Sequence, residues 1–242
     1  MERKDNNSVI SVVLATLNEE KGIGPTLEEL QKVLDDPLLV VVDGKSVDKT
    51  VEIAKNMGAD VIMQDGKGKG NAIRYGVKQA TGDIVVMIDA DISMDPEEIP
   101  GFIEPLLRGY DFVKGSRFLS NAGTMDMSAY RSFGNRVFLF LVNRLFGGKY
   151  TDLCYGYNAF WRDTFQTMGI TSDGFEIETE INIKVLKAGL KVTEVPSYEE
   201  PRLNGVSNLR SFRDGMRILR TIFKLRFSKT HQFSNFLEVG KK

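Results

Sequence analysis

Short, unbroken apolar runs alternate with helical spacings through the first half of the chain. Ser8–Ala15 is β-branched and apolar and reads as a buried strand. Gly22–Leu34 places Ile23, Leu27, Leu30 and Leu34 on one helical face. Leu38–Val42 is a second continuous apolar strand and ends at Asp43. Ser46 then stands at an N-cap position, with Asp48 in the first turn of a helix reaching about Asn56. Asp60–Met63 reads as a short strand, Gly70–Ala80 as a helix, and Ile84–Ile88 as an apolar strand ending at Asp89. In Asp95-Pro96-Glu97-Glu98 the pattern is N-cap, proline at the first helical position, and a capping-box glutamate, opening a helix to about Arg108. Phe112–Val113 belongs to a further strand. Continuous apolar strands alternating with helices indicate a mainly parallel sheet covered on both faces.

The second half is less regular. Tyr130–Phe146 is helical, with a wide, Phe-rich apolar face. Tyr157–Trp161 and Leu190–Val195 read as strands, and Phe175–Lys187 as a helix. From Arg210 to Lys229 seven basic residues face one acid, Asp214, while Phe212, Met216, Leu219, Ile222, Phe223 and Phe227 fall at helical spacing. That is a basic amphipathic helix. The expected organisation is one large domain over 1–207 followed by this helix and a tail over 208–242.

Composition narrows the function classes. Over 242 residues, 42% hydrophobic content and a net charge of -1 exclude a disordered chain. The near-neutral total gives no reason to expect nucleic acid as a partner. One cysteine, Cys154, and one histidine, His231, exclude an internal disulfide and a Cys- or His-based zinc site. The polar start MERKDNNS is unlike a signal peptide. The longest apolar run, Val137–Val142, is six residues, against about 20 for a membrane span. The expectation is a cytoplasmic protein, peripheral at most.

In open parallel sheets, ligands bind at the carboxyl ends of the strands. The residues there are Thr16-Leu17-Asn18-Glu19, Asp43, the Gly66–Gly70 loop and Asp89-Ala90-Asp91. Asp89 and Asp91 repel unless a cation lies near, and hard oxygens suit Mg²⁺ or Mn²⁺ carrying a diphosphate; the plainer reading is that Asp91 helps cap a turn. Asp43 suits a base N–H or a ribose hydroxyl, or a simple turn with Gly44. Gly44-Lys45-Ser46 is not a Walker motif, because Leu39 stands where the first glycine is needed. The Gly66–Ala72 loop, with Lys67 and Lys69, feeds a helix N-terminus and suits phosphate, or is a surface turn. Arg117, Arg131 and Arg202 sit in loop-like sequence and match phosphate with a planar fork, or form surface ion pairs.

Taken together, these pieces resemble the family 2 glycosyltransferases of GT-A fold, especially the polyprenyl-phosphate (dolichol-phosphate) sugar transferase branch. The similarity spans about 8–210: Ala15–Glu20, Val40–Asp48, Gly68–Ala72, Asp89-Ala90-Asp91, Gly115-Ser116-Arg117, Asp152–Phe160, Gly174–Glu180 and Arg202-x-x-Gly205-x-Ser207, in the family's order. The resemblance implies an α/β/α sandwich and inverting transfer from a UDP- or GDP-sugar. It implies that Ala15, Leu17, Glu19 and Asp43 surround the nucleotide, with Lys69 and Asp89 also on it. Asp89 and Asp91 would bind the metal, and Arg117, Arg131 and Arg202 would hold donor and acceptor phosphates. The sequence departs from the family pattern at Ala15-Thr16-Leu17, at Gly44, at Ser93, where the branch commonly has Gln, and at Asn208.

A hydroxyl acceptor requires a general base, for which Asp152, Glu176 and Glu178 are the candidates. Spaced two apart, Glu176 and Glu178 point to different faces of one helix. A polyprenyl phosphate acceptor is already ionised and needs cationic clamps instead. The basic amphipathic segment suits the cytoplasmic face of an anionic membrane, or packs on the domain. A sugar-phosphate nucleotidyltransferase would carry a Gly- and Lys-rich loop after the first strand, where this chain has Thr16–Glu20. For a scaffolding protein, Asp89 and Asp91 would be dispensable.

Overall fold

In a computed structural model, which describes residues 8–202 and 211–228, a seven-stranded sheet lies between two layers of helices. Strands β1 (Ile10–Thr16), β2 (Leu38–Asp43), β3 (Asp60–Met63) and β4 (Ile84–Met87) alternate with helices α1 (Ile23–Val33), α2 (Thr50–Asn56) and α3 (Lys69–Gln79). After α4 (Ile99–Leu107) come β5 (Phe112–Ser116), the two-residue β6 (Gly123–Thr124) and the long α5 (Ala129–Phe146). The remainder is β7 (Asn158–Trp161), α6 (Arg162–Met168), α7 (Ile177–Lys187), β8 (Val192–Pro196), β9 (Tyr198–Glu199) and α8 (Ser211–Phe227). The strand order is β3-β2-β1-β4-β7-β5-β8, with β6 and β9 paired separately. Every pair in the main sheet is parallel except those of β7, which runs antiparallel to β4 and β5. The expected α/β fold with a mainly parallel sheet is the fold observed.

The continuous apolar strands are explained by burial on both faces. Val12, Leu14, Val41, Val86 and Ile88 pack beneath α1 and α4, while Val13, Val42, Val85 and Met87 pack with Ile73, Val77, Ile177 and Ile181 on the opposite side. A third cluster joins α5, α7 and α8 through Val142, Leu153, Ile183, Ile218, Ile222 and Leu225. Lys187 fastens that corner by donating to the carbonyls of Leu225 (2.7 Å) and Ser228 (3.1 Å), which α8 leaves without helical partners. The buried stripe of α8 is Asp214, Ile218, Ile222 and Leu225, whereas Phe212, Met216, Phe223 and Phe227 form a second, exposed stripe. The division expected at residue 207, with Gly205, Ser207, Asn208, Arg210 and Lys229, lies outside the described residues.

Local expectations changed at three places. Ser46 caps no helix; its hydroxyl lies 2.6 Å from Asp43 Oδ1, and Asp48 accepts from the Thr50 backbone N–H at the start of α2. Asp95 does cap, accepting from Glu97 N, but Glu98 makes no capping box. Its carboxylate instead accepts from Ser197 Oγ and Tyr198 N, a contact across 100 residues. The Gly68–Lys69–Gly70 loop is not an open phosphate cradle. Asn71 N donates to Asp173 O, and a Cβ on Gly68 or Gly70 would collide with backbone carbonyls of 172–174. These glycines serve close packing of two segments.

Candidate active site

The chain leaves β1 toward β2 and β3 on one side, then returns to β4 on the other. That reversal opens a crevice at the carboxyl ends of β1 and β4. Because β7 is antiparallel, the loop before it (Asp152–Tyr157) reaches the same edge, as do the segments after β5 and β8. The site is assembled from these loops.

At one side of the crevice, the turn after β1 is laced to the turn after β2. Asn18 N donates to Ser46 Oγ (2.8 Å), Val47 N to Asn18 Oδ1 (2.9 Å) and Glu19 N to Thr50 Oγ1 (2.8 Å). Asn18 takes a left-handed conformation with φ of 58°, which asparagine tolerates. Asp43 is fully buried and accepts from Thr16 Oγ1, Ser46 N and Ser46 Oγ, so within the chain it organises the turn. Ala15 and Glu19 are half-buried and Leu17 is exposed. Burial and the nearby charges of Asp91 and Asp89, offset by Arg202, push the Glu19 carboxyl up to about 7.

The acidic pair lies beside them. Asp91 is buried, its Oδ1 accepting from Ser93 N (3.1 Å) and Ser93 Oγ (2.6 Å) and its Oδ2 facing Arg202 Nη1 at 3.2 Å. Burial and then the nearby Asp89 raise its pKa, partly offset by Arg202 and by the hydrogen bonds from Ser93. Ile92, between Asp91 and Ser93, has φ of 67°, a rare and costly conformation for a β-branched residue. Lys69 sits between two carboxylates, 2.7 Å from Asp89 and 3.0 Å from Glu178. Its burial would lower its pKa, but Asp89 and Glu178 hold it above the usual lysine range. Gly156 permits this arrangement, since a Cβ there would lie 2.9 Å from Lys69 Nζ.

Asp89 and Asp91 fit a divalent cation that arrives with a diphosphate. No group of three His, Cys, Asp or Glu side chains forms a metal cage among the described residues. Mg²⁺ needs no such cage, since one or two carboxylates plus substrate phosphates and water complete its shell. A cation between Asp89 and Asp91 would offset their mutual repulsion.

Two candidate catalytic groups have other work. Asp152 is fully buried and clamps Arg117, with Oδ2 2.7 Å from Nε and Oδ1 3.1 Å from Nη2. Burial would raise its pKa, but Arg117 holds it below the ordinary carboxylate value, which makes it a poor proton acceptor. Arg117 in turn is filled by Asp152 and by Glu199, 2.9 Å from Nη1, so its fork faces carboxylates and not a ligand. Glu176 accepts from Gly174 N (3.2 Å) through Oε1, while its buried Oε2 has no hydrogen-bond partner among the described residues, and it does not line the cavity that Lys69 and Glu178 line. Glu178 enters the Lys69 cluster, in line with the two faces expected for the pair.

A cavity of about 340 Å³ connects these groups to α5 and α8. Its charged lining includes Lys69, Asp89, Glu178, Arg131 and Arg202, and its apolar lining includes Tyr130, Phe133, Val137, Phe212, Met216 and Leu219. Arg131 and Arg202 both face Asp126, at 3.6 and 3.5 Å. Asp126, Glu199 and the α8 lining were not found from sequence. Their only signal is polar sequence in a loop and one-sided helical periodicity, and their partners lie up to 82 residues away.

Residues 11–169 match glycosyl transferase family 2. The chain is 34% identical over 223 residues to glycosyltransferase AglJ of Haloferax volcanii, covering 89% of this chain and 71% of that protein. It is 32% identical over 216 residues to the dolichyl-phosphate hexose transferase of the same organism, covering 89% and 93%. A solved structure of glucosyl-3-phosphoglycerate synthase from Mycobacterium tuberculosis, in complex with Mn²⁺, UDP and glucosyl-3-phosphoglycerate, is similar at a TM-score of 0.72 and 25% identity, covering 90% of this chain and 80% of that one. By this family match and these similarities, the chain belongs to glycosyl transferase family 2 and is a glycosyltransferase of GT-A fold.

Proposed function

We propose that the enzyme transfers a sugar, with inversion, from a UDP- or GDP-sugar to a polyprenyl phosphate at the cytoplasmic face of the membrane, with Mg²⁺ or Mn²⁺. The observation that carries this reading is a cavity lined by both charged and apolar side chains. Its charged lining suits a phosphate beside a nucleotide sugar, and its apolar lining from α5 and α8 suits an isoprenoid chain. The similar dolichyl-phosphate hexose transferase supports the same acceptor class.

The laced turns after β1 and β2 hold the nucleotide at Ala15, Leu17, Glu19 and Asp43. Asp89 and Asp91 hold the cation, which when bound neutralises charge developing on the departing nucleoside diphosphate. Lys69 keeps Asp89 and Glu178 oriented and adds a positive charge near the leaving group. Arg131 and Arg202 orient the acceptor phosphate for attack on the anomeric carbon. A phosphate oxygen needs no general base, which agrees with Asp152 and Glu178 both being held by cations. No helix among the described residues is long and apolar enough to cross a membrane. Association rests instead on the exposed stripe of α8 and on Tyr130, Phe133 and Phe140 of α5.

A second reading, transfer to a hydroxyl of a soluble or glycan acceptor, is favoured by the similarity to a synthase crystallised with glucosyl-3-phosphoglycerate. Incubation with labelled UDP- and GDP-sugars, Mn²⁺ and a polyprenyl phosphate separates the two. Label in the organic phase is expected; label only in water-soluble product would favour the hydroxyl acceptor.

A further inference from the structure

Of the three arginines expected to meet phosphate, two are open to an incoming anion. Arg117 is closed off by Asp152 and Glu199. All three line the cavity, but Arg131 and Arg202 each keep about a quarter of their side-chain surface exposed, whereas Arg117 keeps 3%. Between them stands one carboxylate of the chain itself. Asp126 Oδ2 is 3.6 Å from Arg131 Nη1 and 3.5 Å from Arg202 Nε.

We infer that Asp126 is an internal placeholder for the acceptor phosphate: it holds Arg131 and Arg202 together and is displaced when the headgroup arrives. This rests on the polyprenyl phosphate reading above. Three observations support it. Both ion pairs are long, beyond hydrogen-bond distance, so the carboxylate is held by charge and not by a rigid fork. The backbone around it is anchored, with Met125 N donating to Glu199 O (3.0 Å) and Asp126 N to Thr124 Oγ1 (3.3 Å), so side-chain rotation alone can vacate the position. The charge balance also requires displacement. Arg131 and Arg202 are already matched by two carboxylates, Asp126 and Asp91, the latter 3.2 Å from Arg202 Nη1, before any phosphate enters. A phosphate placed on the two arginines with Asp126 still between them would add like charge at close range.

Each pair is partly exposed and weak, so removing the competing charge gives a modest gain, roughly three- to tenfold in affinity. Binding of farnesyl phosphate, a soluble short polyprenyl phosphate, is measured by calorimetry for wild type, Asp126→Asn, Asp126→Glu and Arg131→Ala. Farnesol and inorganic phosphate serve as the chain-only and headgroup-only ligands. Asp126→Asn is expected to tighten farnesyl phosphate and leave farnesol unchanged, while Asp126→Glu stays near wild type. Thermal melts confirm that each variant folds, and a merely structural role for Asp126 would not separate the two ligands. Unchanged or weaker farnesyl phosphate binding in Asp126→Asn, with weakened binding in Arg131→Ala, overturns the placeholder and leaves the acceptor site standing. A gain confined to inorganic phosphate also overturns it, since the carboxylate would then exclude a free anion and not a lipid headgroup. If Arg131→Ala leaves farnesyl phosphate binding unaltered, the acceptor reading itself fails and takes the inference with it.

Discussion

Asp152 grips Arg117 through both of its carboxylate oxygens, in a pair almost wholly removed from solvent. The pair ties the loop before β7 to the end of β5, and Glu199 extends it to β9. Breaking such a pair on one side leaves a buried charge, at a cost of about 3–5 kcal/mol. Asp152→Asn is therefore expected to shift the urea midpoint strongly downward. The folded pKa of Asp152 is depressed, so its contribution is present above the unfolded value of about 3.9 and is lost as pH falls through the lower folded value. A variant as stable as wild type at pH 7 would show that the pair contributes nothing.

Lys69 is the cation at the centre of the site. Lys69→Met leaves Asp89 and Glu178 facing each other, and catalytic efficiency should fall by about a hundredfold or more. Glu178→Gln keeps the Lys69–Asp89 pair and should cost roughly tenfold. Steady-state kinetics in which Glu178→Gln is the more damaged enzyme would refute a site centred on Lys69.

Asp91→Asn removes a charge that the site holds against its own burial. Nucleotide binding that rises with Mn²⁺ in wild type should lose that dependence, while the fold is retained, since Asn can still accept from Ser93. Mn²⁺ paramagnetic resonance with and without UDP or GDP reads this directly. Equal Mn²⁺ uptake by both proteins would remove Asp91 from the metal site.

Glu19 titrates near neutrality in the folded chain, at about 7 against an ordinary 4.5. The sign follows from proton linkage: the folded state binds the extra proton between these values. Its stabilising contribution is full below the unfolded pKa and is lost as pH rises through about 7. Glu19→Gln should flatten the stability profile between pH 5 and 7.5, measured by chemical unfolding at a series of pH values. An unchanged profile would mean that Glu19 does not carry this proton.

The exposed stripe of α8 is expected to seat the enzyme on anionic lipid. Replacing Phe212, Met216, Phe223 and Phe227 by Ser should abolish flotation with phosphatidylglycerol vesicles and spare Ile218, Ile222 and Leu225, which hold the helix to the protein. Replacing only Arg220 and Lys224 should weaken it about tenfold or more, at about 1 kcal/mol per basic residue. Equal flotation of all three proteins would place the stripe elsewhere, as a contact between protein chains.

Much of this enzyme is local and was readable residue by residue. Strands such as Val40–Val42 and Ile84–Ile88 are continuous apolar runs because both faces of a parallel sheet are covered, and the acids that end them, Asp43 and Asp89, fall where ligands bind. The sequence by itself therefore determined the sheet, its helices and the edge carrying the site. What only the tertiary structure decided was partnership. Gly68 and Gly70 resemble a phosphate loop until the 172–174 segment is seen packed on them. Arg117 resembles an open phosphate ligand until Asp152 and Glu199 close on it. Periodicity makes α8 a helix but cannot say which of its two apolar stripes is inside. The physical reason is range. Hydrophobic period and capping act within a few residues, whereas the partner of a glycine, an arginine or a helix face is supplied by chain remote in sequence, brought close only when the sheet forms.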